Sequence, residues 1–207
     1  MKDKRLFLSS SFSDVATLLT SLGSDLKGKQ VTFIPTASLV EEVTFYVELG
    51  KKALQEFGLI IDELEVSTAT HEEIVHTLRK SEIIYVTGGN TFFLLQELKK
   101  SGADKIIREE VHAGKLYIGE SAGSIVAAPD IEYVKGLDSV KKAPELSNFE
   151  GLGLVDFYPV PHYTNDPFKE AVEEIISDYG SQLFLYPITN KEAILVLDGL
   201  SIKVECK

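Results

Sequence analysis

The first 120 residues alternate between short apolar runs and longer stretches in which apolar residues recur every three or four positions. Strands that are apolar on both faces and alternate with helices are typical of a mostly parallel sheet covered on both sides. The sequence therefore predicts an α/β fold, a three-layer sandwich that forms one domain over 1–207. The apolar runs that predict strands are 6–9, 31–34, 59–66, 83–86 and 116–118. The periodic stretches that predict helices are 14–22, 40–57, a segment from 70, 91–100 and 103–113.

Capping residues mark several of these boundaries. Thr70 and Glu73 have the spacing of a capping box, and Asn90 is placed to cap the helix that follows it. Gly23 is a stop signal for the first helix.

The second half is less regular. Between 129 and 153 the apolar periodicity is weak, which predicts short strands or a lid. A strand at 155–160 is followed by Asp166-Pro167, an expected N-cap and N1 pair for a helix at 168–179. Short strands with hairpin connections are expected at 183–186, 193–197 and 201–204.

Composition narrows the class of protein. The chain has 207 residues, of which 44% are hydrophobic, and a net charge of −11 that disfavours nucleic acid and anionic membranes as partners. Cys206 is the one cysteine, so no disulfide framework is expected. No apolar stretch approaches the roughly 18 residues of a membrane span. We expect a soluble, cytoplasmic protein.

The segment 119–123, Gly-Glu-Ser-Ala-Gly, follows a predicted strand and precedes small and aliphatic residues that suit a helix. In this context the Gly-x-Ser-x-Gly spacing is typical of a nucleophile elbow. Ser121 is then exposed at a sharp turn, with the amide of Ala122 directed at an incoming oxyanion.

A base for Ser121 is expected on the same rim of the sheet. Active sites of such folds lie at the carboxyl ends of the strands, so loops 9–13, 35–39, 87–90 and 119–121 should meet. Among the four histidines, only His162 follows a predicted strand and precedes a helix. His71 and His76 are five residues apart, which does not suit a zinc helix, so we expect no metal and no cofactor.

Three segments resemble a known family. Residues 85–95, 119–124 and 161–165 are similar to the signature segments of peptidase E, the aspartyl dipeptidase family of serine peptidases, which is related to cyanophycinase. The resemblance implies a class I glutamine amidotransferase-like, flavodoxin-like fold. It also implies a small peptide substrate.

The same resemblance implies roles for individual residues. Ser121 corresponds to the nucleophile and His162 to the general base. Gly88 and Gly89, with the amide of Ala122, correspond to the oxyanion hole. Asn90, in the same loop as the glycines, is a candidate for substrate binding.

The sequence does not decide which acid orients His162. Glu192 resembles the family's distal acid, and Asp138 competes with it. Asp156, on the strand that leads to His162, is a third candidate.

The P1 preference also stays open. Members that cleave after an N-terminal aspartate are expected to offer an arginine soon after the histidine segment, but arginine occurs here only at 5, 79 and 108. Lys169 offers a point charge without arginine's bidentate fork. Glu120, beside the nucleophile, would repel acidic substrates or bind a substrate amine.

Two other classes share some of these features. A serine esterase of the α/β-hydrolase type has the same elbow, although its His-Gly-Gly-Gly-type motif is absent. A binding module that kept the fold without turnover is the second alternative. The apolar helix surfaces are also compatible with a homodimer.

Overall fold

The computed structural model describes residues 4–23, 25–197 and 199–206. It contains a seven-stranded sheet in the order β3-β2-β4-β5-β1-β8-β9 and a separate two-stranded sheet of β6 and β7. The strands are β1 (Arg5–Ser9), β2 (Gln30–Ile34), β3 (Ile60–Glu63), β4 (Ile83–Val86), β5 (Leu116–Glu120), β6 (Tyr158–Val160), β7 (Leu185–Pro187), β8 (Glu192–Leu197) and β9 (Leu200–Glu205).

Helices cover the large sheet on both faces. The α-helices are α1 (Phe12–Val15), α2 (Phe45–Glu56), α3 (His71–Lys80), α4 (Thr91–Ser101), α5 (Ala103–His112), α6 (Ala122–Ile125) and α7 (Lys169–Tyr179). Turns of 3₁₀ helix occur at Ala16–Leu22, Thr36–Val40, Glu132–Val134 and Val140–Lys142. Within the described residues, no helix is long and apolar enough to cross a bilayer.

Two hydrophobic clusters lie on opposite faces of the sheet. Successive residues of β1 enter different clusters, because side chains alternate along a strand: Leu6 and Leu8 pack on one face and Phe7 on the other. The strands from β3 to β1 in the sheet order pair in parallel, and β8 and β9 add an antiparallel edge. The prediction of a mostly parallel sheet between two helical layers is confirmed.

The central position of β5 decides where the serine lies. Its last residues pair with the ends of both neighbours, Gly119 with Val86 and Glu120 with Ser9. The turn after β5 is therefore flanked by the loops after β4 and β1.

Some boundaries differ from the sequence-based expectation. The helix predicted from residue 40 begins at Phe45, because Thr36–Val40 forms a separate 3₁₀ turn. That turn packs on the loop after β4, where the Ala37 carbonyl accepts a hydrogen bond from the Asn90 amide at 2.9 Å. The helix predicted at 14–22 is a short α-helix followed by 3₁₀ turns.

The second half contains two further differences. Asp166 and Pro167 do not cap α7, whose N-cap residue is Phe168, and the peptide bond between them is cis. β7 pairs in parallel with β6 rather than in a hairpin. The hairpin of β8 and β9 agrees with the prediction.

Candidate active site

Ser121 lies at a strained turn between β5 and α6. Its φ of 47° and ψ of −107° place a non-glycine residue in a sparsely populated conformation, and its amide is held by the Ser9 carbonyl at 2.9 Å. The flanking glycines permit close packing. A Cβ at Gly119 would lie 2.6 Å from the Gly123 carbonyl oxygen, and a Cβ at Gly123 would lie 2.2 Å from that of Val86.

Ser124 connects this turn to β1 through hydrogen bonds. Its buried hydroxyl accepts a hydrogen bond from the Ser9 amide at 3.0 Å and lies 2.8 Å and 2.9 Å from the carbonyl oxygens of Ser9 and Gly119. These contacts tie two strands to the short helix that carries the serine.

His162 lies beside Ser121, as the sequence predicts. The distance from Ser121 Oγ to His162 Nε2 is 2.9 Å, a hydrogen bond. The His162 backbone, with φ of 63°, donates its amide to Ser10 Oγ at 3.0 Å, and the ring stacks on Phe168 with centroids 4.6 Å apart.

The third partner is Asn190, which sequence reasoning missed. His162 Nδ1 lies 2.9 Å from Asn190 Oδ1. An amide oxygen only accepts, so Nδ1 carries the hydrogen and Nε2 has a free lone pair for the serine proton. The backbone amide of Asn190 in turn donates to Asn165 Oδ1 at 2.9 Å.

The acids expected in that place lie elsewhere. Glu192 Oε2 accepts from the Thr189 amide at 2.8 Å, and Oε1 pairs with Lys203 Nζ at 3.0 Å. Asp138 Oδ2 accepts from the amide and hydroxyl of Thr91. Asp138 lies in the wall of the site, but its carboxylate is bonded to Thr91, so the prediction that Glu192 or Asp138 orients His162 is wrong. The exposed Asp156 does not line the site.

Burial sets the protonation state of His162. Desolvation lowers its pKa below the ordinary 6.5, and the hydrogen bond to Asn190 opposes this shift only partly. The imidazole is neutral at pH 7, as a general base must be.

Two backbone amides beside the serine are available to an oxyanion. Ala122 begins a helix, so its N–H has no intrahelical acceptor. The N–H of Gly89 has no acceptor within the described residues. Gly88, by contrast, directs its amide at the Glu120 carboxylate, where it partly opposes the rise in pKa that burial causes.

Glu120, the residue before Ser121, is buried and connects the end of β5 to neighbouring elements through hydrogen bonds. Its buried carboxylate accepts hydrogen bonds from the Phe12 amide at 2.9 Å and the Tyr85 hydroxyl at 2.8 Å. Burial raises the pKa of Glu120 to about 7. Because its oxygens are already engaged, the expected role of Glu120 in binding a substrate amine is not supported.

A cavity of about 540 Å³ opens in front of Ser121 and His162. The Tyr46 hydroxyl, which lies in its wall, is buried without a hydrogen-bond partner among the described residues. Burial and the nearby carboxylates of Glu41, Glu120 and Asp138 raise the pKa of Tyr46 to about 12. The Tyr46 hydroxyl therefore keeps its proton at neutral pH and is able to donate a hydrogen bond.

Two residues expected to bind substrate do not line this cavity. Lys169 is exposed at the start of α7. Asn90 is buried, and its side chain caps α4 by accepting from the Phe93 amide at 2.9 Å while donating to the Ser139 carbonyl at 3.2 Å. The predicted cap is present, and it engages the side-chain oxygen and nitrogen of Asn90 that a substrate would need.

Comparison with known proteins gives one consistent result. The model of peptidase family S51 matches residues 6–204. An uncharacterized peptidase of Listeria innocua is 60% identical over 195 residues, which are 94% of this chain and 93% of that protein. A peptidase E of a Nostoc species is 37% identical over 144 residues, 70% of this chain and 55% of its own length. A crystal structure of a Listeria monocytogenes protein provisionally assigned to peptidase E superimposes with a TM-score of 0.95, at 56% identity over 99% of this chain and 100% of that chain.

Proposed function

The chain belongs to peptidase family S51, and we propose that it is a serine peptidase that hydrolyses short peptides, with dipeptides as the main substrates. The observation that carries the proposal is the hydrogen-bonded series of Ser121, His162 and Asn190 at the strained turn. A serine and a base within hydrogen-bond reach, with the base oriented by a third group, are the requirements for nucleophilic catalysis.

The geometry leads to an acyl-enzyme mechanism. His162 Nε2 accepts the proton of Ser121 Oγ while the oxygen attacks the peptide carbonyl carbon. The imidazolium then donates the proton to the leaving amine as the C–N bond breaks. Water, deprotonated by the same nitrogen, hydrolyses the ester and restores Ser121.

Asn190 acts as the positioning residue. Its Oδ1 holds the tautomer with hydrogen on Nδ1 and orients the ring toward Ser121. A neutral amide fixes geometry without adding a negative charge, an arrangement also found in Cys-His-Asn sites.

The developing oxyanion is expected near the amides of Gly89 and Ala122, with the absent side chain of Gly88 providing room. A Cβ at Gly88 would lie 3.2 Å from Ser121 Cβ. One such donor typically contributes about 3 kcal/mol to the stabilisation of the transition state.

The test compares Ser121→Ala with Ser13→Ala on a panel of Asp-Leu, Glu-Leu, Ala-Leu and N-blocked Asp-Leu. Ser13 also lines the cavity, and its hydroxyl makes no hydrogen bond within the described residues, so Ser13→Ala removes a hydroxyl from the cavity without removing the nucleophile. We expect Ser121→Ala to lower kcat by about three orders of magnitude or more. Ser13→Ala should keep activity and labelling by a fluorophosphonate. Undiminished turnover by Ser121→Ala would disprove the serine mechanism.

The esterase alternative is disfavoured by chain order. In α/β-hydrolases the acid precedes the histidine. Here the residue that orients His162 follows it by 28 positions. Robust turnover of p-nitrophenyl esters without any peptide cleavage would reverse this assignment.

A further inference from the structure

The cavity in front of Ser121 is strongly acidic. Its wall includes five carboxylates, and among the described residues no lysine or arginine lines it. The carboxylates are Asp14, Glu41, Glu120, Asp138 and Asp166. An anionic side chain entering this space would meet negative charge without a cationic partner.

These carboxylates differ in whether their oxygens already have a hydrogen-bond or ion-pair partner. Glu41 pairs with Lys142 Nζ at 2.9 Å, and the oxygens of Glu120 and Asp138 accept internal hydrogen bonds. Asp14 and Asp166 are exposed, and their carboxylates make no hydrogen bond or ion pair within the described residues. They are the groups that a bound cation would reach without displacing a protein contact.

One wall of the cavity is apolar and exposed. Val43, Phe45 and Leu49 line it, and their exposed fractions are 60%, 67% and 42%. Phe168 adds a further apolar surface beside His162. Large apolar side chains left in water around a catalytic serine are a surface that substrate can cover.

We propose that this cavity selects short peptides with a free α-ammonium group and an apolar side chain next to the scissile bond, and that it disfavours peptides with an N-terminal aspartate. The ammonium group faces the carboxylates of Asp14 and Asp166, and the apolar side chain packs on Val43, Phe45 and Leu49. This assignment rests on the proposed peptidase function for its biological meaning.

Binding to the Ser121→Ala variant separates selectivity from turnover. Calorimetry is carried out with Leu-Leu, Asn-Leu, Asp-Leu and N-acetyl-Leu-Leu. Asn-Leu and Asp-Leu compare charge at almost constant shape, and N-acetyl-Leu-Leu removes the ammonium charge of Leu-Leu while adding an acetyl group. We expect Asp-Leu to bind about tenfold more weakly than Asn-Leu, and N-acetyl-Leu-Leu about tenfold more weakly than Leu-Leu, because each loses one favourable charge interaction or gains a repulsive one.

A double variant and its matched control locate the effect. Asp14→Asn with Asp166→Asn should reduce both ratios toward one. Glu173→Gln with Asp178→Asn removes the same charge from exposed positions of α7 that do not line the cavity, and should leave both ratios unchanged.

Each outcome decides the assignment. Equal or tighter binding of Asp-Leu, unchanged ratios in the Asp14/Asp166 variant, or no binding of any peptide would overturn it. If the expected order of affinities is found but the wild type hydrolyses none of the peptides, the selectivity stands and the peptidase proposal fails instead.

Discussion

Asn190 occupies the position in which a carboxylate orients the histidine of many serine hydrolases. An aspartate there would place a negative charge beside the imidazolium, whereas the amide only accepts the Nδ1 hydrogen. The burial that lowers the pKa of His162 is therefore only partly opposed. The imidazole of His162 should therefore stay neutral to a lower pH than that of an unperturbed histidine.

The pH dependence of Asn190→Asp tests this reasoning. In the wild type, kcat/KM should fall only as pH decreases through a pKa below 6.5, the ordinary value for histidine. A carboxylate at 190 favours the protonated imidazole, so the acidic limb should move to higher pH. Asn190→Ala should lower kcat by about tenfold to a hundredfold, with a smaller effect on KM, because the ring loses its orientation.

Asn148→Asp is the matched control, since it adds the same charge at an exposed residue bound to Lys99. Its acidic limb should coincide with that of the wild type. If Asn190→Asp leaves the limb in place as well, Asn190 does not act through His162.

Glu120 should make the stability of the protein pH-dependent. Its pKa is 4.5 in its unperturbed state and about 7 in the fold, so the folded state binds the proton more tightly. The contribution of the protonated Glu120 to the free energy of unfolding is fully present below pH 4.5 and is lost as pH rises through 7. This difference corresponds to about 3 kcal/mol.

Glu120→Gln should remove most of this dependence. Its free energy of unfolding, measured with urea between pH 4.5 and pH 7, should decline less with rising pH than that of the wild type. Glu173→Gln, at an exposed position, should reproduce the wild-type slope. Equal slopes for wild type and Glu120→Gln would show that the carboxyl does not titrate in this range.

The sequence indicates Ser121 and His162 because each has a local signal. The serine has glycines two positions away on each side, and the histidine follows a strand. Asn190 has no such signal, since its role depends on a contact 28 residues away in sequence and on a partner expected to be acidic. The hydrogen bonds of Glu120 and Asn90 were likewise not predictable, because they depend on residues that are distant in sequence.

Helices and strands were predictable where local physics fixes them. Continuous apolar runs became β1, β2, β4 and β5, and the capping box before α3 is present with both of its hydrogen bonds. The prediction of a helix from residue 40 failed over 40–44, because Val40 ends the 3₁₀ turn of Thr36–Val40 and α2 begins only at Phe45. Packing of this turn on the loop after β4 overrides the apolar periodicity.

Thr70→Ala should destabilise α3 without affecting the site. The Glu73 amide loses its bond to Thr70 Oγ1, and the Glu73 carboxylate loses its bond to that hydroxyl. We expect the free energy of unfolding to fall by about 1 kcal/mol. Urea denaturation measures this change, Thr70→Ser should restore the stability, and kcat/KM should be unchanged in both. A loss of activity in Thr70→Ala would contradict the separation of α3 from the cavity.

The sheet order explains why distant segments form one site. With β5 between β4 and β1, the loops after these three strands contribute Gly88, Ser121 and Ser10 to a single cavity. That meeting was predictable from parallel strands alone. The separate sheet of β6 and β7 was not, although it precedes the loops that carry His162 and Asn190.

The charge of the whole molecule should be visible in its response to salt. A net charge of −11 and an acidic cavity attract cationic peptides and repel anionic ones over distances that salt screens. The screening length falls from about 30 Å at 0.01 M to about 8 Å at 0.15 M salt. Over this range kcat/KM should fall a few-fold for Lys-Leu and rise by a similar factor for Asp-Leu. Leu-Leu, which has no net charge, is the internal control and should change least. A parallel response of all three peptides would mean that salt acts on the enzyme itself, and that its negative field does not select the substrate.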